Sequence, residues 1–366
     1  MKLNKIGRKI PSGLFVVIAL TLLSWGLFIA ICGENPFNVF RLIVTGAFGR
    51  TDKIYAVINK IFIFFFASLA YSIPAWSGMY NVGGDGQLTI GAFAAAFIPL
   101  LFNTGFRPAN ILVALLAASI AGGLWALWPA VLRVRYNISE IVTTLLGSYL
   151  IITFLDYLAN FPLREKNAPI PRLSFIPDNY KFYVIGESTL SVTILLALVV
   201  LSVVEFFRRR TISGYRLKMT GLNAFLAESA GIPIGSYKIW SMFIGGMFAG
   251  LTGGLLVLSL NFTFMAGFSA DYGMNGMLVS LISGNIPWIA FGVTTIFAIL
   301  QVGAINMQVH TSIPSEIVGV LQSIIVFFFA ARATLSLKVR VRRPPTSDVA
   351  AGRISKEKAN RRSPSQ

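Results

Sequence analysis

Nine stretches of this chain are apolar over a length equal or close to a bilayer crossing: 13–32, 54–73, 88–103, 110–132, 141–158, 189–207, 239–260, 288–306 and 315–333. A helix needs about 20 apolar residues to cross hydrocarbon. A tenth stretch, 267–283, is shorter and broken by glycine. Backbone polar groups in lipid must be satisfied within the segment, so each run reads as a helix. Only 12% of the 366 residues are charged and 55% are hydrophobic, against about 25% charged in a soluble domain. The expected fold is all-α and polytopic, with about ten transmembrane helices.

The net charge of +17 raises nucleic-acid binding as a possibility, but its placement argues against that. The charge gathers at Lys2–Lys9, at Arg208–Lys218 between two spans, and in the tail after Arg332. Basic connections that alternate along a polytopic chain mark the cytoplasmic side. With the amino terminus inside, ten crossings return the basic tail to the same side, whereas nine would expel it. The expected organisation is a basic cytoplasmic start, 1–12, a membrane domain, 13–333, with an internal loop at 208–238, and a basic tail, 334–366, expected to be disordered. Its residues 344–366 are rich in Pro, Ser, Lys and Arg and lack apolar periodicity, which suits an anchor on anionic membrane lipid. The run 13–32 exceeds the 7–15 residues of a signal h-region and lacks a small-residue cleavage site, so it reads as a retained span. Cys32 is the only cysteine, which excludes an internal disulfide. The external loop 160–188 carries both charge signs and is either an external contact or a solvated connector.

Within this frame one segment stands apart. Residues 76–93, WSGMYNVGGDGQLTIGAF, set Asp85 and four glycines between two apolar runs. An acid at hydrocarbon depth costs about 2.5–3.5 kcal/mol, and glycines disfavour a regular helix. Irregular polar backbone survives in a bilayer only where protein buries it or where it lines a wet cavity, the pattern of a broken transport helix. A weak counterpart, DYGMNGMLVSLISGN, occupies 271–285. The spans before the two copies run in opposite directions, so the pair reads as an inverted repeat with broken helices meeting near the midplane. Chance similarity between glycine-rich turns is the alternative.

Signals for catalysis are poor. His310 is the sole histidine, there is no Cys-x-x-Cys, and no phosphate-binding GxxxxGK[ST] loop occurs. No metal or cofactor is implied, and energy for uphill transport must come from an ion gradient or another polypeptide. Of the ionisable residues in or near spans (Lys60, Asp85, Glu140, Asp156, Glu205, Asp271 and Glu316), only Asp85 and Asp271 read as deep, which disfavours a proton relay. The loop YRLKMTGLNAFLAESAGIPIGSYK carries a short helix expected at 223–230, capped by Asn223 and ended by Gly231. Such a helix suits transmission of force from a soluble partner, or is an ordinary interfacial helix.

Four of these segments, in order, resemble the permease subunits of bacterial ABC importers for nucleosides and simple sugars, in the ribose-like branched permease family. They are SGMYNVGGDGQLTIGAF, SEIVTTLLGSYL at 139–150, GLNAFLAESAGI at 221–232, and MNGMLVSLISGNIP at 274–287. The resemblance implies a type II-like permease in the bacterial cytoplasmic membrane, acting as a dimer with an identical or sister permease. It also implies cytoplasmic ABC ATPase subunits and an extracytoplasmic substrate-binding lipoprotein. It places Asn81, Asp85, Gln87, Glu140, Thr143, Thr144 and Asn275 at the translocation path. Gly221, Asn223, Ala227, Glu228 and Gly231 fall in the segment that couples to the ATPase. The family usually has Asn at the positions of Ser139 and Ser148, Pro at that of Ala224, Ala at that of Leu226, and a basic residue at that of Glu228. The EIVTTLL run fits the nucleoside branch best. A ribose or other simple-sugar permease is the nearest alternative, and an ion-gradient-driven carrier is the alternative of another class.

Overall fold

The computed structural model describes residues 12–166, 168–183, 193–268, 272–314 and 317–328. The basic start, the tail, Asp271 and Glu316 lie outside the described residues. The helices are α1 (Ser12–Ile31), α2 (Pro36–Phe48), α3 (Thr51–Trp76), α4 (Gly84–Leu101), α5 (Arg107–Tyr136), α6 (Glu140–Asn160), α7 (Thr193–Arg210), α8 (Ile212–Leu222), α9 (Ala224–Ser229), α10 (Ile234–Leu256), α11 (Tyr272–Ile282), α12 (Pro287–His310) and α13 (Ile317–Phe328). Six of them are long and apolar enough to cross a membrane, or seven if the bent pair α1–α2 counts as one. A π turn, Val257–Asn261, prolongs α10.

Two further helices lie in the connections between the apolar runs. In the 33–53 connection, Asn35 caps α2 by accepting from the Phe37 amide, and Pro36 opens its first turn. Its buried stripe of Val39, Ile43, Gly46 and Ala47 faces α12, and α1 meets α2 at a bend of 108°. In the 208–238 loop, Thr211 caps α8 by accepting from Gly214 N. Both helices escape a search for long apolar runs because one is amphipathic and the other is largely polar.

α3 is the central pillar. Its apolar window is 83% buried, against 28% for α6 at the edge. Every residue from Phe62 to Pro74 is buried, so the IFIFFF run packs on all sides instead of along one stripe. The helices around it approach through small residues, as expected where lipid supplies no hydrophobic drive. At Gly91 of α4, Gly122 of α5 and Gly250 of α10 three backbones come into direct contact, and a β-carbon at any of them meets main-chain atoms of a neighbouring helix.

The two repeat-like units exchange partners. α4, of the first unit, packs along α10, with Gly253 against the Leu88 carbonyl. α11, of the second, packs along α3, with Gly276 against Ala67. The Ser72 and Ser280 hydroxyls bond at 2.8 Å, and Trp76 Nε1 donates to the Asn285 carbonyl at 2.8 Å. At 1.5 Å per residue the 11-residue α11 is about 16 Å long, roughly half of a hydrocarbon core of about 30 Å.

Opposite the α8–α9 segment, the loop expected as an external contact or solvated connector is pinned down. Leu173 N, Ile176 N and Phe182 N donate to the carbonyls of Phe264, Phe262 and Leu258 at 2.9, 2.9 and 3.0 Å. Arg107 donates to the carbonyls of Lys181 and Phe182, both at 2.8 Å. Leu173, Ile176 and Tyr180 are buried, so this stretch caps the end of α10. At its rim, the hydrogen bond from Lys181 holds the Asp178 carboxyl below the usual carboxylate range.

Candidate functional site

The candidate site starts at the C-terminal end of α3, where the chain leaves the helix through Ser77 and the left-handed Gly78 (φ +77°). Residues 79–83 then run without helix before α4 begins. Extended backbone leaves amides unpaired, and α6 supplies their acceptors. Glu140, Thr144 and Ser148 lie at spacings of four, on one buried face of α6. Glu140 Oε1 accepts from Tyr80 N at 3.4 Å, Thr144 Oγ1 from Val82 N at 3.2 Å, and Ser148 Oγ from Gly86 N at 3.1 Å. This polar ladder substitutes for the helical bonds that the glycine-rich segment lacks. Replacing Thr144 by Val and Ser148 by Ala strands two amides, at about 1–3 kcal/mol each. The expected result is a thermal midpoint in detergent lowered by several degrees; an unchanged midpoint would show that water serves these amides instead.

Inside the segment, Asn81 and Gln87 form a reciprocal amide pair. Asn81 Nδ2 donates to Gln87 Oε1 at 2.8 Å, and Gln87 Nε2 donates to Asn81 Oδ1 at 3.0 Å. Asn81 also donates to the Ala70 carbonyl and accepts from Gly83 N. Both side chains are buried, so the pair ties the first turn of α4 to α3 at Ala70.

Asp85 sits in the first turn of α4, and its Oδ1 accepts from Gly273 N, in the first turn of α11, at 2.9 Å. The starts of the two broken helices therefore meet at one carboxylate. Each helix start carries a partial positive charge from its unpaired amides. The Asp85 carboxylate is placed to stabilise both. A β-carbon on Gly273 would run into this carboxylate, and one on Gly84 would run into the Tyr71 hydroxyl.

The remaining residues assigned to the path divide. Glu140 Oε2 also pairs with Arg133 Nε at 3.1 Å, so Arg133 at the end of α5 neutralises the buried Glu140 charge at the start of α6. Asn275 is buried on α11 beside the α3 contact. Thr143 is half-buried and bonds only the carbonyls of Ser139 and Glu140 on its own helix, apart from the ladder. Ser148, Arg133, Tyr71 and Gly273 join the site without having been assigned to it from sequence. The spacing of four from Glu140 to Ser148 was visible in the sequence; the other three come from tertiary contact. Among the described residues no group of three His, Cys, Asp or Glu stands ready to hold a metal.

In the 208–238 loop, Asn223 caps α9, its Oδ1 accepting from Leu226 N at 3.0 Å. Gly231, at φ +73°, follows the helix end, where Gly231 N reaches the Glu228 carbonyl and Ile232 N the Ala227 carbonyl. The helix thus occupies 224–229, inside the expected 223–230. Ala227 is fully buried and Glu228 is exposed. Phe225 is 80% exposed, beside exposed Leu222 and Leu226. Gly221 packs on the Trp76 carbonyl and the Gly78 amide, and Gly78 in turn lies 3.3 Å (from where its β-carbon would be) from Gly221 Cα. The end of α8 is therefore in backbone contact with the turn that opens the glycine-rich segment.

Two broken helices clasped within a helical bundle, and a loop helix whose base touches the turn before one of them, form an arrangement suited to a membrane transport permease. Residues 53–330 match the family described as the permease component of branched-chain amino acid transport systems, and the chain belongs to that family. It is 26% identical to the guanosine ABC transporter permease NupP of Bacillus subtilis over 86% of this chain and 92% of that one. It is 25% identical to the nucleoside ABC transporter permease NupB of Lactococcus lactis over 98% of this chain and 100% of that one. A glucose ABC transporter permease of Haloferax volcanii is 27% identical, over 78% of this chain and 77% of that one.

Proposed function

We propose that this chain is the membrane permease of an ATP-driven nucleoside importer in the bacterial cytoplasmic membrane, with both termini in the cytoplasm. The observation that carries this reading is the backbone contact of Gly221 with Trp76 and Gly78. A push on α9 passes through α8 to the turn that starts the segment Tyr80–Gln87, and so to the Asp85 clasp. The chain has no phosphate-binding loop of its own, so ABC ATPase subunits supply that push. They dock on the exposed face of Leu222, Phe225 and Leu226, with Gly221, Asn223, Ala227, Glu228 and Gly231 shaping the segment. A second permease completes the path, and an external binding lipoprotein delivers the solute.

Asn81, Asp85, Gln87, Glu140, Thr143, Thr144 and Asn275 form the walls and supports of the path in this proposal. Relatives named for guanosine and nucleosides, aligned over most of the chain, support the substrate class. The glucose permease relative supports a simple sugar as second reading. Uptake of labelled guanosine by cells lacking and then regaining this gene tests the choice. The expected result is uptake competed by other nucleosides and not by ribose or glucose; competition by sugars alone overturns it.

The docking face gives a further prediction. Phe225→Asp is expected to leave the fold intact, because Phe225 is 80% exposed, but puts a charge on the apolar docking face. ATPase subunits are expected to co-purify with wild type and to be lost with the variant at equal membrane abundance. Full co-purification with the variant would remove Phe225 from the contact.

A further inference from the structure

A cavity of about 510 Å³ opens between α3, α7, α8 and α10. Its size falls in the range of about 300–1,000 Å³ that holds one ligand. Its walls include Trp76, Val203, Phe207, Leu217, Trp240 and Ile244. Val203, Trp240 and Ile244 are exposed, so the cavity is open along the sides of α7 and α10 that face out of the bundle. A nucleoside or sugar entering it would lose its water and find few partners for its hydroxyls, at a cost of roughly 1–3 kcal/mol for each unpaired group. An acyl chain pays no such penalty.

The polar end of the cavity has a different character. Ser213, in the first turn of α8, and Ser236, in the first turn of α10, both line it. Val203, Phe207 and Arg210 recur at spacings of four and three, so Arg210 continues the cavity-lining stripe of α7 by one turn. Arg208 and Arg209 both pair with Glu205. Glu205 and Arg209 lie on the face of α7 turned away from that stripe, so the charge at the mouth of the cavity is that of Arg210, and the mouth is positive. Two tryptophans, Trp76 and Trp240, flank it, as aromatic side chains do at a membrane–water boundary.

We propose that this cavity is a binding site for one anionic phospholipid of the adjoining leaflet. An acyl chain lies between α7 and α10, and the phosphate rests at Arg210, Ser213 and Ser236. The chain's own tail is a poorer occupant, since it carries Arg332, Lys338, Arg340, Arg342 and Arg343 and would set like charges beside Arg210. The bound lipid supports Trp76 two residues before Gly78, and so steadies the contact with Gly221; this consequence rests on the coupling reading above, whereas the binding itself does not.

The test uses the full chain in nanodiscs of phosphatidylethanolamine with phosphatidylglycerol added in steps, followed by native mass spectrometry of retained lipid. Wild type is expected to retain one phosphatidylglycerol. Ile244→Trp, which narrows the opening between α7 and α10, is expected to reduce that retention at least about tenfold, or ~1.4 kcal/mol. Arg210→Ala is expected to keep a lipid but to lose the preference for the anionic one. A phosphatidylglycerol bearing a photoreactive acyl chain should label wild-type peptides containing Val203 or Trp240, a readout that does not depend on the variants folding. Equal retention by Ile244→Trp, labelling spread evenly over other helices, or increased lipid retention on removing residues 334–366 would each overturn the proposal. Since none of these measurements reads transport, failure of the importer assignment would leave them unaffected.

Discussion

Gly221→Val is expected to cripple uptake while the protein still reaches the membrane. No side chain fits there without a backbone shift: a β-carbon at this position meets the Trp76 carbonyl and stands 2.8 Å from the Gly78 amide nitrogen. Both are main-chain atoms of a turn already committed to a left-handed Gly78, so neither yields as a flexible side chain would. The end of α8 must lift away, and the mechanical link from α9 to the glycine-rich segment is broken. Uptake in cells is expected to fall below a tenth of wild type, a change of about 1.4 kcal/mol or more in the working balance of states. ATPase subunits should still co-purify, because Phe225 and its neighbours remain exposed. Wild-type uptake by Gly221→Val would disprove the link; loss of both uptake and co-purification would locate the damage in α9 docking instead.

The second large effect is expected at Asp85. Asp85→Leu removes the acceptor for Gly273 N and leaves two helix starts, those of α4 and α11, facing each other without an anion. A hydrogen bond to a charged group contributes about 1.5–3 kcal/mol, so the clasped arrangement should lose roughly ten- to a hundredfold in population. Asp85→Asn keeps an oxygen for Gly273 and loses only the charge, so its uptake is expected between those of wild type and the leucine variant. That order, measured as initial rates at matched membrane abundance, separates a clasp from a simple polar lining. Full activity in Asp85→Leu would show that the two broken helices hold together without it.

The residues that made these predictions possible were legible to different degrees. Asn223 and Gly231 announce a helix start and stop by local chemistry alone, and the structure caps and ends α9 through them. Asp85 was singled out because an acid between glycines is costly in lipid. Its partner, Gly273, was not, because a backbone amide carries no signal of its own. The ladder of Glu140, Thr144 and Ser148 follows a visible spacing, yet the amides it serves lie about 60 residues away in sequence. Gly221 was assigned to the coupling segment by resemblance, and only the fold shows the Trp76–Gly78 turn pressed against it.

What the amino-acid sequence determined by itself is the all-α polytopic character, the two glycine-broken segments and the capped loop helix. These depend on hydrocarbon thickness, backbone satisfaction and capping, all of which act over one or a few turns of chain. What only the tertiary structure decided is the exchange of partners, α4 with α10 and α11 with α3, and the meeting of two helix starts at one carboxylate. Helices in lipid choose partners by how closely their small residues let backbones approach, and that fit is a property of two surfaces together, which neither segment carries alone.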